Sequence, residues 1–64
     1  MMRAVLKQAR RDKGMTQDDV ADYLFISESY YKALESGKKT GSVELWDKLE
    51  DLFNVHQRIL RNDE

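Results

Sequence analysis

The sequence predicts a compact all-α fold of five short helices, and three observations point to it. Apolar residues recur three and four apart in successive segments, Thr16, Ser27 and Ser42 stand where helix N-caps belong, and Gly14, Gly37 and Asn54 fall where helices should stop. A chain of 64 residues has room for one modest core, and without Cys it has no disulfide framework to lean on. Proline is absent, and no repeat, linker or low-complexity tract divides the chain, so residues 1–64 read as a single domain.

The first helix is expected over residues 2–13, with Val5, Leu6 and Ala9 as its inner stripe and Gly14 as its break. Thr16 then caps a second helix from Gln17, with Asp19 three residues later able to reach back to the cap. Val20, Ala21 and Leu24 share one face of that helix and Asp18, Asp19 and Asp22 the other. Ser27 caps a third helix, about residues 28–36, in which Tyr31 and Leu34 keep the apolar spacing before Gly37. Two helices so short and so close must cross steeply, with the small Ala21 at the crossing and Ile26 plugging the corner. Residues 38–41 form a polar loop, and Ser42 caps a fourth helix that turns Val43, Trp46, Leu49, Leu52 and Phe53 to the core. After Asn54, residues 56–61 form a short fifth helix presenting Ile59 and Leu60.

The pattern resembles the Cro/repressor-type helix-turn-helix domain of the lambda-repressor-like superfamily. Leu6, Arg10, Gly14, Thr16-Gln17, Val20-Ala21, Leu24, Ile26-Ser27, Leu34-Glu35, Gly37-Lys38, Ser42, Glu44-Leu45, Leu49, Phe53 and Val55 carry the likeness, which covers nearly the whole chain. It departs at Phe25, where the family usually has Gly, and at Glu50, where it has a small residue. Phe25 implies an altered turn, or a strained one offset by packing its ring on neighbouring helices. Glu50 implies a rotated or less tightly packed fourth helix.

The resemblance implies a motif over about residues 17–36 whose second helix enters the major groove of double-stranded DNA. Matched position by position, Glu28, Ser29, Lys32 and Ala33 would read bases: Glu28 accepting from cytosine N4, Lys32 donating to guanine, Ala33 touching a thymine methyl. Glu28 has a second reading as an acid complementing the helix dipole, and Lys32 one as a solvated side chain. Thr16, Gln17, Tyr30, Lys38, Lys39, Thr40 and Ser42 are the phosphate candidates, Gln17 with the free N–H groups of its helix start. A charged loop is equally readable as merely solvated, and Tyr30 as an exposed aromatic without a role. Tyr31 matches a buried aliphatic position of the family, so its hydroxyl needs a partner at the rim. Arg10 and Glu35 match a recurring ion pair that ties the first helix to the recognition helix. Trp46 reads as core.

Net charge is −1 and the sequence pI about 5.8, an unfavourable balance for a polyanion's partner. The charge is uneven, however: residues 1–14 sum to +4 and residues 15–64 to −5. The first helix and the Lys38-Lys39 loop could thus clamp phosphates on either side of the recognition helix.

Other classes find little support. His56 has no Ser or Cys nucleophile near it in sequence, the carboxylates are spread along helix faces, and one His with scattered acids gives no metal-ligand spacing. No enzyme activity, metal, cofactor or small-molecule ligand is expected. Without a long apolar run or a signal-peptide core, the expectation is a cytoplasmic protein that does not enter a membrane. The best-supported function is a small sequence-specific transcriptional regulator, a phage- or prophage-type repressor or Cro-like switch acting at an operator. Lacking the second domain of larger repressors, it would dimerise through this domain or on DNA, with Phe53, Ile59 and Leu60 as self-contacts or, alternatively, as simple closure of the core. The rival is a protein-interaction module that keeps the fold but binds DNA weakly or not at all, using Glu28, Tyr30 and Lys32 against another regulator.

Overall fold

The computed structural model describes residues 2–62; residues 1, 63 and 64, which the single-domain reading takes in, lie outside the described residues. Five helices follow in order: α1 (Ala4–Asp12), α2 (Gln17–Leu24), α3 (Glu28–Ser36), α4 (Val43–Phe53) and α5 (Gln57–Leu60). The described residues contain no strand.

The helix starts follow from local chemistry. At α2, Thr16 Oγ1 accepts from the Asp19 N–H at 3.0 Å while the Asp19 carboxylate accepts from the Thr16 N–H at 2.9 Å, a full capping box. Those bonds hold the Asp19 carboxyl below the ordinary Asp range. Ser27 and Ser42 cap α3 and α4 by accepting from Tyr30 and Leu45 N–H. α1 starts two residues later than expected, and α5 one residue later, with His56 as its cap. Arg3 leaves helical geometry at ψ 83°, its N–H donating to Glu35 O and its side chain turning inward.

The corner after α2 keeps the left-handed residue that the family supplies with Gly, although Phe25 stands there at φ 59°. The conformation lets Phe25 N–H reach Asp22 O and Ile26 N–H reach Ala21 O, closing the helix end. The turn is therefore unaltered and strained. Its ring does not pack on neighbouring helices as expected: it is 88% exposed, touched by the Lys48 ammonium 5.7 Å from its centre. Asn54 is the other non-Gly residue in this conformation, at φ 56°, which Asn tolerates better.

Each helix sends side chains into one core: Leu6 from α1, Val20, Ala21 and Leu24 from α2, Tyr31 and Leu34 from α3, Trp46, Leu49 and Phe53 from α4, and Leu60 from α5. Ile26 packs against it from the corner. Val43 does not join; in the first turn of α4 it lies 70% exposed at the edge, and Leu45 and Leu52 are half-buried instead. Of the two readings of the C-terminal apolar residues, Leu60, fully buried, and Phe53, nearly so, follow closure of the core, because α5 is too short to persist without an anchor, while Ile59 lies exposed. Burial worth roughly 1.5–3 kcal/mol holds that four-residue helix down. Glu50 is accommodated at the same junction, where Gln57 Nε2 donates to Glu50 Oε1 at 3.1 Å and Asp47 Oδ1 at 2.7 Å.

Candidate nucleic-acid interface

What presents α3 is an ion pair. Arg10 Nε donates to Glu35 Oε2 at 2.6 Å and Nη2 to Oε1 at 3.4 Å, with both side chains buried, while Nη1 donates to Met15 O at 2.9 Å. The pair ties α1 to the end of α3 with the planar fork that only Arg offers. Tyr31 lies beside it, fully buried. Its hydroxyl has no hydrogen-bond partner among the described residues, contrary to the rim partner expected of it, and burial, with the Glu35 carboxylate beside it, pushes its pKa far above the ordinary Tyr value.

The opposite face of α3 is open. Ser29, Lys32 and Ala33 line one shallow concavity with Ser36 and Lys38, so three of the four base-reading candidates meet a phosphate candidate there. Ser36 was missed by the sequence reading, although helical spacing from Lys32 and Ala33 pointed to it; its hydroxyl donates to Ala33 O at 3.1 Å. Glu28 does not line the concavity. Its carboxylate lies 3.8 Å from the Lys32 ammonium, both largely exposed. Such a pair is worth about 0.3–0.5 kcal/mol, so it opens at little cost when either group meets a base.

The phosphate candidates divide. Lys38 and Lys39 have exposed side chains, but both their N–H groups are spent on Ala33 O, leaving only the ammonium groups to reach outward. Gln17 Nε2 donates to Glu35 Oε1 at 3.1 Å, so the amide expected on a phosphate is partly engaged in holding the ion pair. Thr16 and Ser42 use their oxygens as caps and keep a hydroxyl proton to give. Tyr30 is half-buried with its ring packed against the core rather than facing outward. Thr40 offers its carbonyl inward, accepting the Trp46 indole N–H at 2.7 Å.

The basic first segment is less basic outside than its sum. Arg3 and Arg10 are buried in structural bonds, and Lys13 lines a different groove, against Val5, Phe53 and Val55. Of the α1 cations, Lys7 and Arg11 remain outside the core, half-buried and exposed respectively. No group of three or more His, Cys, Asp or Glu able to hold a metal occurs among the described residues, and no helix there is long and apolar enough to cross a membrane.

Two capped helices closed at a left-handed corner, the second exposed along one face, define a protein of the helix-turn-helix class. A family model described as helix-turn-helix, of the Cro/C1 type, matches residues 6–56, and the chain belongs to that family. Over 63 residues it is 41% identical to a Bacillus subtilis (strain 168) protein named as an uncharacterized HTH-type transcriptional regulator, YqaF, a match covering 98% of this chain and 83% of that protein. No solved structure matches it significantly.

Proposed function

We propose that the chain is a single-domain, sequence-specific DNA-binding transcriptional regulator of the repressor or Cro-like kind, with α3 in the major groove of an operator. One observation carries this reading: Ser29, Lys32, Ala33 and Ser36 share a concavity with Lys38 on the face of α3 turned away from the buried Arg10–Glu35 pair. Polar, cationic and methyl groups in that order suit base edges flanked by a phosphate. Lys38, Lys39, Gln17, Thr16 and Ser42 supply backbone contacts, through ammonium, amide and hydroxyl groups. A dimer on DNA would read a pseudo-palindrome with half-sites about one turn apart.

Selection of bound fragments from a random DNA pool, followed by titration of the winner at several salt concentrations, tests it. One recurrent motif with steep salt dependence is expected. Gln17→Ala and Lys38→Ala should weaken binding on every sequence, whereas Glu28→Ala should change which sequence is preferred. No enrichment at low salt would overturn the reading in favour of a protein-interaction module. That rival has its own observation, the 88%-exposed Phe25 ring held in a strained conformation.

A further inference from the structure

Arg3 and Trp46 meet beneath the loop that follows α3. The Arg3 guanidinium carbon lies 5.2 Å from the Trp46 ring centre, and its Nη1 donates both to Leu34 O, in the last turn of α3, at 2.6 Å and to Lys39 O at 2.8 Å. Nε donates to Arg61 O at 3.2 Å, beyond α5. The Trp46 indole N–H takes the next loop carbonyl, Thr40 O. Gly41 follows at φ 79°, where an added Cβ would come within 2.9 Å of both Leu34 Cδ2 and Trp46 Nε1. Three separate features thus hold residues 39–41 from inside the fold.

The consequence lies on the other side of the loop. A trans peptide is planar, so its C=O and N–H point in opposite directions. With the carbonyls of Lys39 and Thr40 drawn inward, the N–H groups of Thr40 and Gly41 are turned outward. Neither has an acceptor among the described residues. Two outward amides beside the Lys38 and Lys39 side chains make an oriented donor set for an anion.

We infer that Arg3 and Trp46 are positioning residues for the DNA-backbone contact, holding the loop so that its amides and lysines face one phosphate together. The role rests on the DNA-binding reading above. It favours an Arg, because one nitrogen of the rigid fork bonds the carbonyls of Leu34 and Lys39 while another reaches Arg61, whereas a single ammonium nitrogen cannot hold all three in place.

The test uses Arg3→Lys, which keeps the charge and loses the guanidinium fork, and Trp46→Phe, which keeps most of the packing and loses the indole N–H, with Leu49→Val as a control in the same core that touches neither donor. Folding is checked by amide NMR spectra. DNA affinity should fall about tenfold on every sequence in both variants, with unchanged base preference and a salt slope shallower by about one. Backbone order parameters at residues 39–42 should drop from about 0.85 towards about 0.6, while Leu49→Val changes neither readout. Wild-type affinity in Arg3→Lys would show that charge alone suffices, and unchanged order parameters in both variants would show that the two side chains do not set the loop; either overturns the inference. If the wild-type chain bound no DNA, the reading beneath it would fall, and the order parameters would still decide whether Arg3 and Trp46 hold the loop.

Discussion

Removing the Glu35 carboxylate should nearly unfold this protein, whereas removing both members of its ion pair should not. In Glu35→Ala the Arg10 side chain, only 10% exposed, keeps one bond, to Met15 O, and loses its two to Glu35. The guanidinium cannot escape by deprotonating: Glu35 raises its pKa in the native fold, and even without Glu35 an Arg side chain keeps its proton far above neutrality. An uncompensated buried charge costs about 3–5 kcal/mol. A domain this small rarely has more than about 3–5 kcal/mol in total. The single tryptophan, Trp46, is buried and reports unfolding by fluorescence. At a urea dependence of about 1 kcal/mol per M, the midpoint should fall by about 3 M or more. In Arg10→Met/Glu35→Leu no charge is stranded, and apolar packing should return most of the loss. A midpoint shift under about 1 M in Glu35→Ala, or a double variant as unstable as the summed singles, would refute the view that the pair stabilises by mutual neutralisation.

Three further outcomes are expected. Tyr31→Phe removes a buried hydroxyl that has no partner among the described residues and should raise stability by about 1 kcal/mol, measured by urea unfolding; a loss would mean that the hydroxyl is bonded after all. Phe25→Gly should gain about 0.5 kcal/mol, since relief of left-handed strain of about 1–2 kcal/mol outweighs the flexibility that Gly brings to the unfolded chain, and Asn54→Gly should gain less. The Asp19 carboxyl, held below the ordinary value of 3.8 by its bonds to Thr16, stabilises the fold above that pH, and its contribution is lost as pH falls through the depressed folded-state pKa. Asp19→Asn should therefore flatten part of the decline in denaturation midpoint as pH falls below the ordinary Asp value, and an unchanged decline would exclude the capping box as a source.

Interactions that close within a few residues were legible in the sequence. Thr16, Ser27 and Ser42 cap helices because each bonds an N–H three residues on, a distance that any reader of the chain can count. Arg10 with Glu35 was legible for a different reason, resemblance to a family in which the two recur. Arg3 was not legible: its partners Leu34, Lys39 and Arg61 lie 31, 36 and 58 residues away, and nothing local distinguishes a cation about to be buried from one facing solvent. The division of Ile59 from Leu60 failed for want of length, since four helical residues give too little periodicity to say which faces in. Val43 obeyed the apolar spacing of α4 and still lies outside the core, because spacing fixes a face and says nothing of where along the helix its neighbours end.

The net charge of −1 argues against a DNA partner only if charge is averaged over the molecule. At physiological ionic strength exposed charges are screened over about 8 Å, so the groups near the contact decide its energy. Asp47 and Glu50 converge on Gln57 where α4 meets α5, Asp19 serves the α2 cap, and Glu35 is neutralised by Arg10 inside the fold. The concavity on α3 is lined by two lysines and no carboxylate, with Glu28 at its margin paired to Lys32. Burying Arg3 costs the surface one cation, yet that guanidinium and the Trp46 indole between them orient two amides that carry partial positive charge without a counter-acid of their own. On this account the acidic average bears on the rate of approach, which long-range attraction would otherwise raise, and the held loop bears on the strength of the contact once made. A mutation that added surface lysines far from α3 should then speed association at low salt and leave dissociation unaltered, while loosening the loop at Arg3 should do the reverse.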